Sequence, residues 1–348
     1  MKVIMARAIA RATETSLQSN TTMAPKKESG YDLALYGLDN GQFYAIHLPA
    51  LTCIFLSLIT AILVICFSFK HQRISTFFTW TKSERFVVYL AICDALFNIC
   101  HSMDHLHIVI TKDHVYPKAL CEFYGIMLAE FITAQNLMVN VVSINAFVLI
   151  YFRKKLEFGK YDWKLLLWMF GTPFLAGMIA LGTGSMGPNG TFCYFDGVKG
   201  EYANLFFTTV PLLLILTVNI IMYILTWYRI QKEEPKFKDV SGKDAHVVRA
   251  SHRAAKTMSL FVAAFFIQWW AMALYGVWQL VADVPQALFQ FVTTFSNIGG
   301  ILNGIVYVII RRKKGENHSE IPSESSKKFS RMNNNHSVSN IETQHTSF

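Results

Sequence analysis

Ionisable and amide side chains recur at helical spacing inside an otherwise apolar stretch of this chain. The intervals are four, three and four residues, and the members are Asp94, Asn98, His101 and His105. This spacing places them on one face of a helix. Because charged groups are costly in apolar helices, we expect this face to point into a bundle interior. There Asp94 would be a functional charge, suited to a cation or a proton.

A second polar stripe follows in the next apolar stretch, and its intervals are three, four and three residues. Its members are Thr133, Asn136, Asn140 and Ser143. For Asn136 and Asn140 we favour a structural network between helices, which is common in membrane bundles; with Asn98, Asn297 and Asn303 they are also candidate neighbours for a cation held by Asp94. Glu130 lies one turn before the stripe. For Glu130, His101 and His105, a ligand pocket and a structural network are equal alternatives.

Two adjacent tryptophans, Trp269 and Trp270, lie in an aromatic run of a later stretch. Neighbouring residues of a helix cannot face the same way, so one should enter the core or a ligand pocket and the other should face lipid or another helix. Acidic Asp104, Glu122 and Glu130 would suit an amine or a basic peptide as ligand.

The last apolar stretch carries Asn303 and Tyr307, which are four residues apart and share a helix face. Gly300 and Gly304 lower the helix propensity beside them, which favours a bend. The alternative role of such a glycine pair is close packing against another helix.

Seven apolar stretches are long enough to cross a bilayer, which takes about 20 helical residues. They cover residues 44–69, 86–110, 121–152, 165–181, 202–228, 255–281 and 286–310. Hydrophobic residues make up 53% of the 348 and charged residues only 16%. This composition excludes a cytosolic enzyme and extensive disorder. It predicts an all-α membrane protein, a bundle of seven transmembrane helices over residues 44–310.

The loops predict the orientation of this bundle through their Lys and Arg content. Alternate loops and the start of the C-terminal tail carry 21 such residues, whereas the loops on the other side carry 3. We therefore expect residues 1–43 to be an extracellular tail and residues 311–348 a disordered cytoplasmic tail. Met23 is an alternative start. The net charge of +9 reflects this loop asymmetry and does not indicate nucleic acid.

Cys121 and Cys193 are the cysteines that fall on the predicted outer side, where an oxidising compartment favours a disulfide. We predict that they are bonded; the alternative is two unrelated thiols. Asn189 and Asn20 begin N-x-T sequons on the same side and are candidate glycosylation sites.

Three of these features together resemble the rhodopsin-like (class A) G-protein-coupled receptors. Leu90-Ala91-Ile92-Cys93-Asp94 resembles the L-A-x-x-D signature of their second helix. Asn303-Gly304-Ile305-Val306-Tyr307 is similar to their N-P-x-x-Y, with Gly304 in place of proline. The cysteine pair corresponds to the family's linking disulfide. The resemblance covers roughly residues 40–315.

The chain also departs from that family. The position of the D-R-Y motif reads Asn145-Ala146-Phe147, and the sixth helix lacks C-W-x-P. The first helix lacks the family's G-N pair. These departures indicate either a divergent class A receptor or a relation to the cyclic-AMP-receptor-like or secretin-like groups.

The resemblance implies a receptor that passes the signal of an extracellular ligand, not identified by the sequence, to a heterotrimeric G protein. Basic loops 153–164 and 229–256 and residues 311–314 would form the docking face, and the Ser/Thr-containing tail would bind arrestin. Asp94 would mark an internal sodium site, and Tyr307 would swing during activation.

Other functions of a seven-helix membrane protein are less well supported. Retinal needs a Schiff-base lysine in the seventh helix, and residues 286–310 contain none. No metal box, nucleophile elbow or phosphate loop indicates an enzyme, and no metal site is expected apart from sodium at Asp94. A transporter or channel using the intramembrane Asp, Glu and His remains the alternative, although no internal repeat supports it.

Overall fold

The computed structural model describes residues 27–71, 73–233, 243–278 and 284–319. Within these ranges, seven helices are long and apolar enough to cross a membrane, which confirms the predicted seven-helix bundle. Four of them are uninterrupted: α1 (Phe43–His71), α2 (Lys82–Thr111), α3 (Lys118–Tyr151) and α6 (Lys243–Trp278).

The other three helices each contain a turn of different width. Helix α4 comprises Trp163–Leu166, the π-turn Leu167–Gly171 and Thr172–Gly182. Helix α5 comprises Glu201–Asn204, the π-turn Leu205–Thr209 and Val210–Glu233. Helix α7 comprises Gln286–Phe295, the 3-10 turn Ser296–Ile298 and Gly299–Ser319. Pro173 and Pro211 closely follow the two π-turns, and such wide turns relieve the clash between proline and the preceding turn.

Helix ends differ from the predicted membrane boundaries where a cap or a polar segment extends the helix. Helix α2 begins at Lys82, before the predicted Phe86, because Thr81 and Glu84 form a capping box. Helix α6 begins at Lys243 and α7 continues to Ser319. Hydropathy indicates where a chain enters hydrocarbon, whereas backbone hydrogen bonding continues beyond that point. Residues 1–26 and 320–348 of the two predicted tails lie outside the described residues.

Helix α3 is the central element of the bundle. It packs against α2, α4, α5 and α6 and against both strands of a short hairpin. The hairpin pairs β1 (Met186–Pro188) with β2 (Cys193–Phe195) in antiparallel register. Gly125 permits its close approach to α3, because a Cβ there would lie 2.7 Å from the Tyr194 carbonyl oxygen. We call the end of the bundle that carries this hairpin the hairpin end, and the other the opposite end.

The paired glycines of α7 serve close packing. A Cβ at Gly300 would lie 2.5 Å from the Ser57 carbonyl oxygen on α1. The irregular turn of α7 lies at Ser296–Ile298, before both glycines. The irregularity of α7 therefore precedes the two glycines and does not lie at them. The missing side chain at Gly300 instead lets α1 and α7 approach.

Candidate functional site

Two independent links hold the hairpin to the bundle. The predicted disulfide joins Cys121, at the start of α3, to Cys193 on β2. The backbone N–H of Cys193 also donates a 2.9 Å hydrogen bond to Asp104 of α2, whose side chain is fully buried. One residue of β2 is thus fixed to α3 covalently and to α2 by a buried carboxylate.

An N-terminal segment, residues 29–42, crosses the hairpin end, and we call it the strap. The backbone N–H of Gly30 donates to both carboxylate oxygens of Asp196, at 2.8 Å each. The N–H of Tyr36 donates to the Gly190 carbonyl oxygen at 2.8 Å. The ring of Tyr36 lies 4.5 Å from that of Phe289 on α7. The strap therefore connects the hairpin to α7.

Tyr31 anchors the beginning of the strap, and Asp32 caps its first turn. The Tyr31 hydroxyl donates to the Val115 carbonyl oxygen at 3.1 Å, and burial raises the pKa of Tyr31 to about 12. Backbone N–H groups of Ser29 and Glu28 lower the pKa of Asp32. The hydrogen bonds that Asp32 accepts come from its own turn and stabilise that turn, whereas the Tyr31 hydroxyl bonds to the backbone of the bundle.

A cavity of about 120 Å³ lies at the hairpin end between the hairpin and α5, α6 and α7. Its lining includes the polar side chains of Asn189, Asp196, Glu201, Asn204 and Tyr275. The side-chain oxygen of Asn204 is buried and has no hydrogen-bond partner. Because Glu201 brings a carboxylate and Asn204 an unsatisfied oxygen, the cavity suits a ligand that carries hydrogen-bond donors.

None of the five predicted pocket residues lines this cavity. They are His101, His105, Glu130, Trp269 and Trp270. Asn189, predicted as a glycosylation site, does line it. The Asn189 side-chain oxygen accepts the N–H groups of Thr191 and Phe192 at 3.0 Å each, and Thr191 is 1% exposed. The sequon is therefore part of the packed hairpin. Asn20 lies outside the described residues.

His101 and His105 belong to a chain of three buried imidazoles that also includes His47 of α1. The Nδ1 atoms of His47 and His105 are 2.7 Å apart, and the Nε2 atoms of His105 and His101 are 2.9 Å apart. The ring of Phe192 packs edge-on against His101, with centroids 5.2 Å apart. The chain of imidazoles thus links α1, α2 and the hairpin.

Counting protons explains the two ends of this chain. Three neutral imidazoles have three N–H groups and three lone-pair nitrogens, and two hydrogen bonds use two of each. One donor and one acceptor remain, and the structure leaves His47 Nε2 and His101 Nδ1 buried without partners. Both hydrogen bonds between the imidazoles therefore point the same way, so that a free N–H remains at one end of the row and a free lone pair at the other. Within the described residues, no three His, Cys, Asp or Glu side chains converge on a metal position.

Of the remaining predicted pocket residues, Glu130 and Trp269 are buried, whereas Trp270 is half-buried. Glu130 is 7% exposed, and its Oε2 atom has no partner. Trp269 is 1% exposed, and Trp270 packs edge-on against Phe295 of α7. Gln268 of α6 donates to the Ser296 carbonyl oxygen at the irregular turn of α7. One tryptophan enters the core while the other contacts a neighbouring helix.

Asp94 joins α2 to α7 in the middle of the bundle. Its Oδ2 atom accepts a 2.7 Å hydrogen bond from Asn303 Nδ2. Its Oδ1 atom has no partner, although Asp94 is 1% exposed. Side-chain oxygens of Asn98, Asn136 and Asn297 are also buried without partners.

These oxygens are of the type that a sodium ion takes, and the sodium site at Asp94 stays a prediction. A hard cation takes carboxylate and amide oxygens as ligands, and an unpartnered oxygen is costly to bury. Asp94, Asn98, Asn136 and Asn297 each supply one such atom. Asn303 is committed to Asp94 through its amide nitrogen. A cation bound at Asp94 would satisfy the Oδ1 atom of this residue, which the protein leaves without a partner.

Two other predicted switch residues have different partners. Asn140 donates to the Asn219 side-chain oxygen of α5 at 3.0 Å, which links α3 to α5. Tyr307 accepts a 3.2 Å hydrogen bond from Arg311 Nε, one turn later on the same helix.

A buried ion pair fixes the opposite end. Arg85 of α2 meets Asp162 through its Nε atom at 2.7 Å and its Nη2 atom at 3.1 Å. The Tyr89 hydroxyl donates to the same carboxylate at 3.0 Å, and Arg85 Nη1 donates to the carbonyl oxygens of Phe78 and Trp80. One arginine thus connects the α1–α2 loop, α2 and the start of α4.

Sequence reasoning missed this ion pair because it treated Arg85 only as a loop charge. The local sequence does not predict the backbone there either, since Tyr161 and Asp162 both adopt the left-handed region, with φ of 60° and 55°. Such conformations are strained for these residues and need tertiary support. The missed His47 had a signal, since it is a polar residue inside an apolar span.

A family model described as 7 transmembrane receptor (rhodopsin family) matches residues 59–307, more than half of the chain. No curated protein matches the chain. The matched range runs from α1 to Tyr307 and includes the disulfide, Asp94 and Asn303. This is a family of receptors, and its members bind an extracellular ligand and couple to G proteins. The chain therefore belongs to the rhodopsin family of seven-transmembrane receptors and is a multi-pass plasma-membrane G-protein-coupled receptor.

Proposed function

We propose that the hairpin end faces the outside and that the cavity there binds the extracellular ligand. The observation that carries this proposal is the cavity itself, which combines a hairpin held by two links with walls from α5, α6 and α7. Glu201 and the unsatisfied Asn204 oxygen give it a preference for ligand donors. Because three helices contribute walls, a ligand that prefers one arrangement of them shifts the bundle's population.

The opposite end then faces the cytoplasm and carries the G-protein surface. The loop that begins α4 is held by the Arg85–Asp162 ion pair, in a chain that lacks D-R-Y. We infer that this pair maintains the docking surface. The tail after residue 319 supplies Ser and Thr residues for arrestin.

The Asp94 centre acts between the two ends as a sodium-sensitive element. It joins α2 to α7 through Asn303. A cation that binds one bundle arrangement better than another stabilises that arrangement by mass action. Asp94, Asn98, Asn136 and Asn297 would hold this cation.

Reconstitution of the full chain tests the receptor role directly. Guanine-nucleotide exchange on added heterotrimeric G proteins and solute flux are measured in the same proteoliposomes. We expect basal exchange above that of empty liposomes and no flux. Flux without exchange would instead favour the transporter or channel alternative.

Orientation is tested separately in intact cells. An epitope tag placed before residue 27 should bind antibody without permeabilisation, whereas a C-terminal tag should need it. The reverse pattern would overturn the assignment of the cavity to the outside.

A further inference from the structure

A second cavity lies between α3, α4 and α5 on the side of the bundle. It measures about 180 Å³, and its walls include Ala129, Thr133, Gly177, Phe207 and Pro211. The α4 and α5 surfaces beside it carry apolar side chains that are more than half exposed: Phe174, Leu175 and Phe206. In a membrane-spanning bundle this exposed belt faces hydrocarbon. We call this cavity the lateral groove.

Local backbone structure opens the lateral groove. Both π-turns border it, since Trp168 of the first and Thr208 of the second line its walls. Such turns often occur at functional sites. Gly177 adds open space, because a Cβ there would have Ile126 Cγ2 at 3.7 Å as its nearest neighbour. By contrast, backbone atoms of neighbouring elements occupy the space where a Cβ of Gly125 or Gly300 would lie.

Phe195 connects the lateral groove to the cavity at the hairpin end, which we call the ligand cavity. Its side chain lines both cavities and is 4% exposed. Its neighbour Tyr194 shares a 2.7 Å hydroxyl hydrogen bond with Thr208 of the groove wall. An occupant of the groove therefore contacts the same hairpin that forms the ligand cavity.

The strap contacts two parts of the ligand cavity's wall, although no strap residue lines the cavity itself. It is bonded to the hairpin at Asp196 and Gly190, and Tyr36 packs on Phe289, which itself lines the cavity. Entry to the lateral groove from the bilayer does not pass the strap, which contributes no residue to the groove walls.

We propose that the lateral groove binds one hydrocarbon chain of a lipid-like amphiphile that enters from the bilayer, and that Phe195 transmits its occupancy to the ligand cavity. This rests on the proposed ligand role of that cavity. An apolar cavity of roughly 150 Å³ takes a benzene-sized group, so the groove has room for a stretch of a single hydrocarbon chain. A peptide would leave its backbone groups unsatisfied against these walls.

The test uses the full chain in nanodiscs and a photoreactive sixteen-carbon fatty acid, with labelled positions identified by mass spectrometry. Gly177→Leu fills the groove. Gly182→Leu is the matched control, because Gly182 lies on the same helix with no atom within 4 Å of its Cβ position. We expect labelling of the groove walls that excess palmitate suppresses, and about tenfold less of it in Gly177→Leu, equivalent to losing roughly two buried methylene groups.

Equal labelling of Gly177→Leu and Gly182→Leu, or labelling that palmitate does not suppress, would overturn the proposal. If Gly177→Leu does not fold, Ala176→Leu fills the same groove and carries the test. Guanine-nucleotide exchange is measured on the same samples. A palmitate effect on exchange that Phe195→Ala abolishes supports transmission through Phe195. If palmitate suppresses the labelling but no condition gives G-protein exchange, lipid binding in the groove is supported and the proposed receptor mechanism is contradicted.

Discussion

The two ends of this receptor are each closed by a buried carboxylate, but the carboxylates have different partners. At the hairpin end, Asp104 accepts a neutral backbone N–H, and the disulfide holds the same residue, Cys193. At the opposite end, Asp162 pairs with a buried arginine and has no covalent support. The hairpin end is thus doubly secured, whereas the opposite end depends on two charges that stabilise each other. That difference is consistent with the proposed roles, in which the hairpin end binds ligand and the opposite end rearranges on coupling.

The largest effect should come from breaking the ion pair. Asp162→Ala leaves Arg85 charged and buried, and removing one partner of such a pair costs about 3–5 kcal/mol. We expect a strong loss of thermal stability in detergent and altered basal nucleotide exchange. Glu157→Ala is the control in the same loop, because the Glu157 side chain is 81% exposed and its pair with Lys82 should contribute less than about 1 kcal/mol. Similar losses of thermal stability in both variants would refute the larger contribution of the buried ion pair.

Removing the disulfide should have a smaller effect than breaking the ion pair. Cys121→Ser frees the hairpin covalently, and loss of a disulfide costs about 2–4 kcal/mol, while Asp104 continues to hold Cys193. We expect reduced surface delivery more than altered G-protein coupling. Non-reducing mass spectrometry of the wild type should find the two cysteines bonded; two free thiols would contradict the structure.

Asp104→Ala tests the second link of the hairpin. It leaves the Cys193 N–H buried without an acceptor, at a cost of about 1–3 kcal/mol. Because both links hold one residue, the double variant with Cys121→Ser should lose more stability than the two single losses combined. Simple additivity, measured as melting temperatures of all four proteins, would show that the links act separately.

Asp94 lies between the ends and sharpens the comparison, because its side chain is held by the Asn303 amide and its Oδ1 atom is unsatisfied. Asp94→Asn should leave surface expression intact and abolish the sodium dependence of basal exchange. The measurement compares exchange in sodium and in potassium at equal ionic strength. Sodium dependence that survives the substitution would refute the sodium role, and a protein that does not reach the surface would indicate a structural role.

The smallest effect concerns glycosylation at the hairpin end. Asn189 already accepts two backbone hydrogen bonds, and a glycan there would occupy the ligand cavity. We therefore expect Asn189→Gln to leave electrophoretic mobility unchanged, whereas Asn20→Gln should increase it. A mobility shift with Asn189→Gln would show that the hairpin end is more open than its contacts indicate.

Residue types and intervals alone determined the seven spans, the disulfide and the inward face of α2. Bilayer thickness sets the length of an apolar helix, and the cost of a charge in hydrocarbon turns Asp94 inward whatever its neighbours are. These constraints act on each segment separately, so they can be read from the chain.

Only the tertiary structure decided which inward side chains meet. Asn136 and Asn140 have the same helical register, yet Asn140 bonds to Asn219 of α5 while the Asn136 oxygen stays unsatisfied. His47 meets His105 across 58 positions of sequence, and Arg85 meets Asp162 across 77. Periodicity identifies the face of a helix, but the partner on that face depends on the axial position and rotation of a second helix. Packing of the whole bundle sets both quantities.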